Sequence, residues 1–144
     1  GDTDAPLIGV VPKVVTKEKV FDECFLLPEK YQKSCVTQFT SFLENNSEIE
    51  TSLSNCDTYI DWVANICAFK ITGAYMSVNI GKPEATLNPK NYTQLSQNVR
   101  FGYIYGVVNQ YQQYKDGNTL DFIKGWCKDL KNKKDINYCL SRVW

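Results

Sequence analysis

The chain has 144 residues, with 16 basic and 16 acidic side chains, 13% aromatics and no histidine. Zero net charge, with fourteen lysines to two arginines, argues against a nucleic-acid binder, which needs a positive field and bidentate phosphate contacts. Without histidine the commonest general base, the commonest metal ligand and every Ser–His or Cys–His nucleophile pair are missing, so no enzyme, metal or cofactor is expected.

Residues 1–22 read as an extended N-terminal arm. Pro6, Pro12 and the β-branched run between and after them oppose helix. The start GDTDAP, without Met, reads as a mature terminus left by signal removal. Residues 23–144 read as one helical domain. Pro28 opens a first helix bearing Tyr31, Cys35, Phe39, Phe42 and Leu43. Ser47 and Glu50 form a capping box. From it runs a long apolar stripe, Ile49, Leu53, Cys56, Ile60, Val63, Cys67, Ile71, Ala74 and Val78, in steps of three and four. Gly73 is a point where this second helix could bend, and Gly81 and Pro83 end it. A third helix begins at Asn88-Pro89 or Thr93 and runs to Asp116-Gly117. Thr119 caps a fourth, with Leu120, Ile123, Trp126, Cys127 and Leu130 on one side. Asp135 caps a short fifth, with Ile136, Cys139, Leu140 and Val143. The expected architecture is all-α, an irregular bundle of about five helices. No run is long and apolar enough to span a membrane.

Six cysteines without a C-x-x-C pair point to three disulfides and an oxidising compartment, extracellular or periplasmic. Cys24 and Cys35 are eleven apart, as are Cys56 and Cys67. On one continuous helix each pair would sit about 16 Å apart, beyond disulfide reach. In an antiparallel hairpin, facing residues have a constant sum. Cys35 with Cys56 and Cys24 with Cys67 share one, centred between Asn45 and Asn46. The expected bridges are therefore Cys24–Cys67 and Cys35–Cys56, with Cys127–Cys139 closing a second hairpin over KNKKD.

Several constellations carry functional candidates. Gly102, Tyr103 and Gly106 in GYIYG mark either close helix packing or a pocket floor, and a homodimer seam is a further option. Tyr111, Gln112 and Tyr114 have an interface-like composition and are candidates for partner binding. Asn45 and Asn91 head glycosylation sequons. Asp57 and Asp61, four apart, would share a solvent-facing side of the second helix. Lys128, Lys131, Lys133 and Lys134 form a basic turn flanked by Asp129 and Asp135, which reads as solvated surface.

FGYIYGVV, Phe101 to Val108, resembles the GY-x-x-G-V helix of Tai/Rap-type periplasmic immunity proteins, a match of eight residues. Those are small helical disulfide proteins that protect bacteria from toxins of neighbouring cells, so the resemblance implies a periplasmic chain with a protein partner. The length, six cysteines and helical reading are also similar to insect odorant-binding proteins, though their C-x3-C and C-x8-C spacings are absent. That comparison implies a small hydrophobic ligand in a helical cup lined by aromatics such as Phe39, Phe42, Tyr59, Trp62, Phe69, Phe101 and Tyr105. The preferred expectation is a non-enzymatic secreted or periplasmic protein that binds another macromolecule as an inhibitor, immunity factor or host-directed effector. A carrier of a hydrophobic ligand is the alternative.

Overall fold

The computed structural model describes residues 22–39, 48–59, 61–79, 89–113 and 117–143. Among them are six α-helices, two short 3-10 helices and no strand: a 3-10 turn at Asp22–Leu26, α1 Glu29–Phe39, α2 Ile49–Cys56, α3 Asp61–Asn79, a 3-10 turn at Tyr92–Gln94, α4 Gln97–Gln112, α5 Gly117–Lys128 and α6 Lys133–Arg142. The arm apart from Asp22, the Asn45-Asn46 turn, Ser47 and the Gly81–Pro83 stop lie outside the described residues. None of the described helices is long and apolar enough to cross a membrane.

The fold is all-α and stapled by three disulfides, but two of the pairings differ from the hairpin expectation. The bridges are Cys24–Cys35, Cys56–Cys67 and Cys127–Cys139, with Cα separations of 5.6, 5.5 and 5.5 Å. Each joins neighbours in sequence because the chain breaks between the two cysteines. Cys24 lies in the first 3-10 turn. Pro28 lacks an N–H and restricts Leu27, so the chain folds back there before α1 carries Cys35. Cys56 ends α2, and Cys67 lies two turns into α3. The expected single second helix is thus two helices. The break falls at Asp57–Tyr59, where the Thr58 hydroxyl donates to the Asn55 carbonyl (2.7 Å), while Gly73 sits unbroken inside α3. Asp61 enters α3 at φ 37°, in the left-handed region that a short polar side chain tolerates best.

The helix starts also shift. α2 has Glu48, not Ser47, at its N-cap, and Glu50 accepts from the Lys90 backbone N–H (3.4 Å). α4 is capped by Ser96, whose hydroxyl accepts from the Val99 N–H. α5 begins at Gly117, ahead of Thr119. Asn132 caps α6 by accepting from the Lys134 N–H (2.8 Å), so Asp135 is released from that role.

The core centres on α3 against α4. Val63, Ala64, Cys67, Ala68, Ile71 and Met76 of α3 meet Val99, Tyr103, Ile104, Val107 and Val108 of α4, all buried. Gly102 and Gly106 make this crossing close. A Cβ at Gly102 would lie 2.3 Å from the Asn65 carbonyl oxygen, and one at Gly106 would lie 2.7 Å from Thr72 Cβ. The GYIYG glycines are therefore spacers inside the core, where close backbone approach outweighs their poor helix propensity. All six cysteines are buried in the same core. Bridges closing loops of this length each stabilise by about 3 kcal/mol in the chain-entropy account.

Candidate functional site

α4 carries a single charge, Arg100, in a helix otherwise of apolar and amide side chains. Its guanidinium donates through Nε to Asp135 Oδ2 (2.8 Å) and through Nη1 to the Leu95 carbonyl (2.6 Å). Asp135 is 0% exposed and accepts a second hydrogen bond at the same oxygen, from the Tyr92 hydroxyl. Three separate segments, residues 89–96, α4 and α6, are thus tied at one buried carboxylate. A second set of bonds fixes the 89–96 segment to α2. Asn91 Nδ2 donates to the Glu50 carbonyl (3.0 Å) and to Ser54 Oγ (2.6 Å), and the Ser96 N–H donates to Asp57 Oδ2 (3.0 Å). Buried charges need such pairing to be tolerated at all.

This network corrects several expectations. Asp135 is no part of a solvated turn; Lys128, Asp129, Lys131, Lys133 and Lys134 are exposed, and Asp135 alone turns inward. Asp57 and Asp61 do not share a helix face: one closes α2 and the other opens α3. The Asn91 amide that would carry a glycan is already bonded twice within the fold. Asn45 lies outside the described residues.

Burial of the Tyr92 ring, its bond to Asp135 and the negative charge there push its hydroxyl far above the ordinary value of 10.0, with Arg100 pulling weakly the other way. Tyr103 is raised as well, chiefly by burial. The folded chain therefore holds protons that the unfolded chain releases above pH 10.0, so this contribution is fully present below that value and is lost progressively above it, as pH rises towards and through the raised folded values. Denaturation midpoints measured from neutral to strongly alkaline pH should be level up to that point and then fall, by up to about 1.4 kcal/mol per pH unit per tyrosine. Tyr92→Phe should show a shallower alkaline fall.

On the outer side of the α4–α6 seam the side chains form a ladder. Phe101 stacks on Tyr138 with centroids 4.0 Å apart and planes at 7°. The Arg142 guanidinium stands over Tyr138 at 4.9 Å and over Tyr105 at 5.1 Å. Tyr105, 36% exposed, meets Phe69 of α3 at 4.9 Å. Phe69 also lines an open groove between α3 and α4, with Lys70, Gly73, Ser77, Asn109 and Gln110. Among the described residues of the ladder and groove, the charged ones are Lys70 and Arg142. Gln112 Nε2 donates to the Arg142 carbonyl and fixes the end of α6 against α4.

The ladder takes in Phe69, Phe101 and Tyr105, named on sequence grounds as pocket aromatics, and leaves out the residues named for partner binding. Tyr111 is buried, its ring 5.5 Å from Phe122, and Gln112 serves the α4–α6 contact. Tyr114 lies outside the described residues. Gly102, Tyr103 and Gly106 belong to the core, with Tyr103 6.0 Å from both Tyr92 and Trp126. Of the aromatics proposed as a cup, Trp62 and Tyr105 are exposed, Tyr59 packs partly buried against the core, Phe69 and Phe101 join the ladder, and the side chains of Phe39 and Phe42 are not among those described. Two signals in the sequence did mark the missed residues. Arg100 is the one charge of α4, and Asp135 shares the face of Cys139 at i,i+4. Comparison with protein-family models, curated proteins and solved structures finds no match.

Proposed function

We propose that the chain is a secreted or periplasmic protein that acts by binding a protein partner, without catalysis, in the manner of an inhibitor, immunity factor or effector. The observation that carries this reading is the Phe101–Tyr138–Arg142–Tyr105–Phe69 ladder. Tyrosine and arginine are the residues that most often dominate binding energy. Held in a stack, they present apolar area and charge with little rotamer entropy left to lose. Lys70 and Arg142 give this surface a positive character suited to a partner face bearing carboxylates. The disulfides, each closing a local loop, fit an oxidising compartment.

The test compares partners retained by the immobilised wild-type chain with those retained by Tyr105→Ala and by Arg142→Ala, with Trp62→Ala as an exposed aromatic control. A true partner is held by wild type and the control, and is weakened about thirtyfold by either ladder variant, as expected of a hot spot. Retention of the same proteins by all four chains would reject the ladder as the interface. Substrate turnover by the purified chain would reject the non-catalytic reading itself.

A further inference from the structure

Away from the ladder, a cleft of about 200 Å³ opens between the 89–93 segment and the loop from α5 to α6. Its apolar lining is Pro89, Tyr92 and Leu130, and its charged residues are Lys90, Lys131 and Asp129. Both lips are built rigidly. On one side, the Lys90 N–H and the Asn91 side chain are bonded to Glu50 and Ser54 of α2, and the Tyr92 hydroxyl is held by Asp135. On the other, the Asp129 N–H donates to the Gly125 and Trp126 carbonyls and the Leu130 N–H to the Cys127 carbonyl, each at 3.2 Å. The Cys127–Cys139 bridge clamps that loop at its base. A partly apolar cleft with a few charged side chains, carried on loops held by a rigid frame, is the usual form of a ligand site.

We infer that this cleft binds a small arenecarboxylate, its ring against Tyr92 and Leu130 and its carboxylate toward Lys90 and Lys131. The volume suits one substituted ring and is below the range of about 300–1,000 Å³ typical of drug-sized ligands. Among the lining residues two lysines stand against Asp129, and the Glu50 carboxylate lies behind one lip on the Lys90 N–H, which favours a monoanion over a dianion. The Tyr92 hydroxyl is engaged with Asp135, so recognition rests on the apolar wall, the lysines and Thr93. This site is independent of the ladder and does not depend on the reading given to it.

Benzoate is the probe, followed by amide NMR shifts on the intact, disulfide-bonded chain, with benzyl alcohol, benzylamine and inorganic phosphate as comparisons. Benzoate should give saturable shifts at Tyr92, Leu130 and Lys131, with a Kd on the order of 1 mM for a ligand this small. Lys131→Ala should weaken binding about fivefold, and Asp129→Asn should tighten it about threefold, as expected for single exposed charges near the ligand. Both positions are exposed, so the variants keep the fold, which their unchanged core shifts would verify. The neutral and cationic rings should bind at least several times more weakly. Absence of saturable shifts at these amides, indifference to both substitutions, or phosphate or benzylamine binding as well as benzoate would each overturn the assignment.

Discussion

Replacing Asp135 by alanine is expected to lower stability by about 3 kcal/mol or more, which in a chain of this size lowers Tm by on the order of 10 °C. The reason lies in what the substitution leaves behind. Arg100 is 14% exposed, so its guanidinium would keep its charge largely out of water with its carboxylate removed. The Tyr92 hydroxyl would lose its acceptor at the same moment. Unpaired buried groups carry their full desolvation cost, whereas the intact pair gains little over an apolar replacement. The converse follows. Asp135→Leu combined with Arg100→Met should recover much of the loss of either single variant, with Tyr92→Phe added to remove the remaining hydroxyl. Urea denaturation of both single variants and the double variant, read as a double-mutant cycle, checks this. A loss below about 1 kcal/mol for Asp135→Ala would mean that the carboxylate is solvated and that the three segments are held together by packing alone.

The same carboxylate links stability to the two surfaces. α6 bears Tyr138 and Arg142 one and two turns beyond Asp135, and the 89–93 segment forms one lip of the cleft. Loosening the tie frees both. The Asp135 variants should therefore broaden the amide signals of Leu130 and Tyr138 before global unfolding begins, as local opening is set by the nearest lost contacts.

How far the sequence exposes this structure depends on which forces are local. Helix periodicity is local, and Ile49, Leu53, Cys56, Val63, Cys67 and Ile71 of the stripe are buried as their spacing implies. Yet the stripe keeps phase across the break at Asp57–Tyr59, so periodicity alone reads two helices as one. That error propagates to the disulfides: with a continuous helix, Cys56 and Cys67 stand too far apart to bond, whereas a reversal between them brings their Cα atoms to 5.5 Å. Cys127–Cys139 escaped the error because its turn, KNKKD, is polar enough to be plain. The ladder draws on α3, α4 and α6 through Phe69, Phe101, Tyr105, Tyr138 and Arg142, and no single helix shows it. Asp135 looked like a cap because aspartate favours that role, but Asn132 already fills it and the core stripe of α6 carries the carboxylate inward.

The glycines of α4 allow the crossing itself to be tested by grading one substitution over four sites. A methyl at Gly102 meets the Asn65 carbonyl oxygen at 2.3 Å and Ala68 Cβ at 2.8 Å; the first of these is backbone and cannot rotate away. α3 and α4 must then move apart along the middle of the core, where Val63, Cys67, Val99 and Tyr103 are packed without slack. Overpacking of this kind costs about 1–3 kcal/mol or more, against a gain of about 1 kcal/mol in helix propensity. Gly102→Ala should therefore lose a net ~2 kcal/mol. Gly106→Ala meets Thr72 Cβ at 2.7 Å and should lose a similar or smaller amount. Gly73→Ala finds only the end of the Gln110 side chain at 3.6 Å, and Gly125→Ala finds nothing within 4 Å, so both should gain up to ~1 kcal/mol from propensity. Urea midpoints of the alanine variants, at constant slope, should rise in the order Gly102, Gly106, then Gly73 and Gly125. If Gly102→Ala matched Gly125→Ala, α3 and α4 would have to stand further apart than a glycine contact allows, and the central packing of the fold would be wrong.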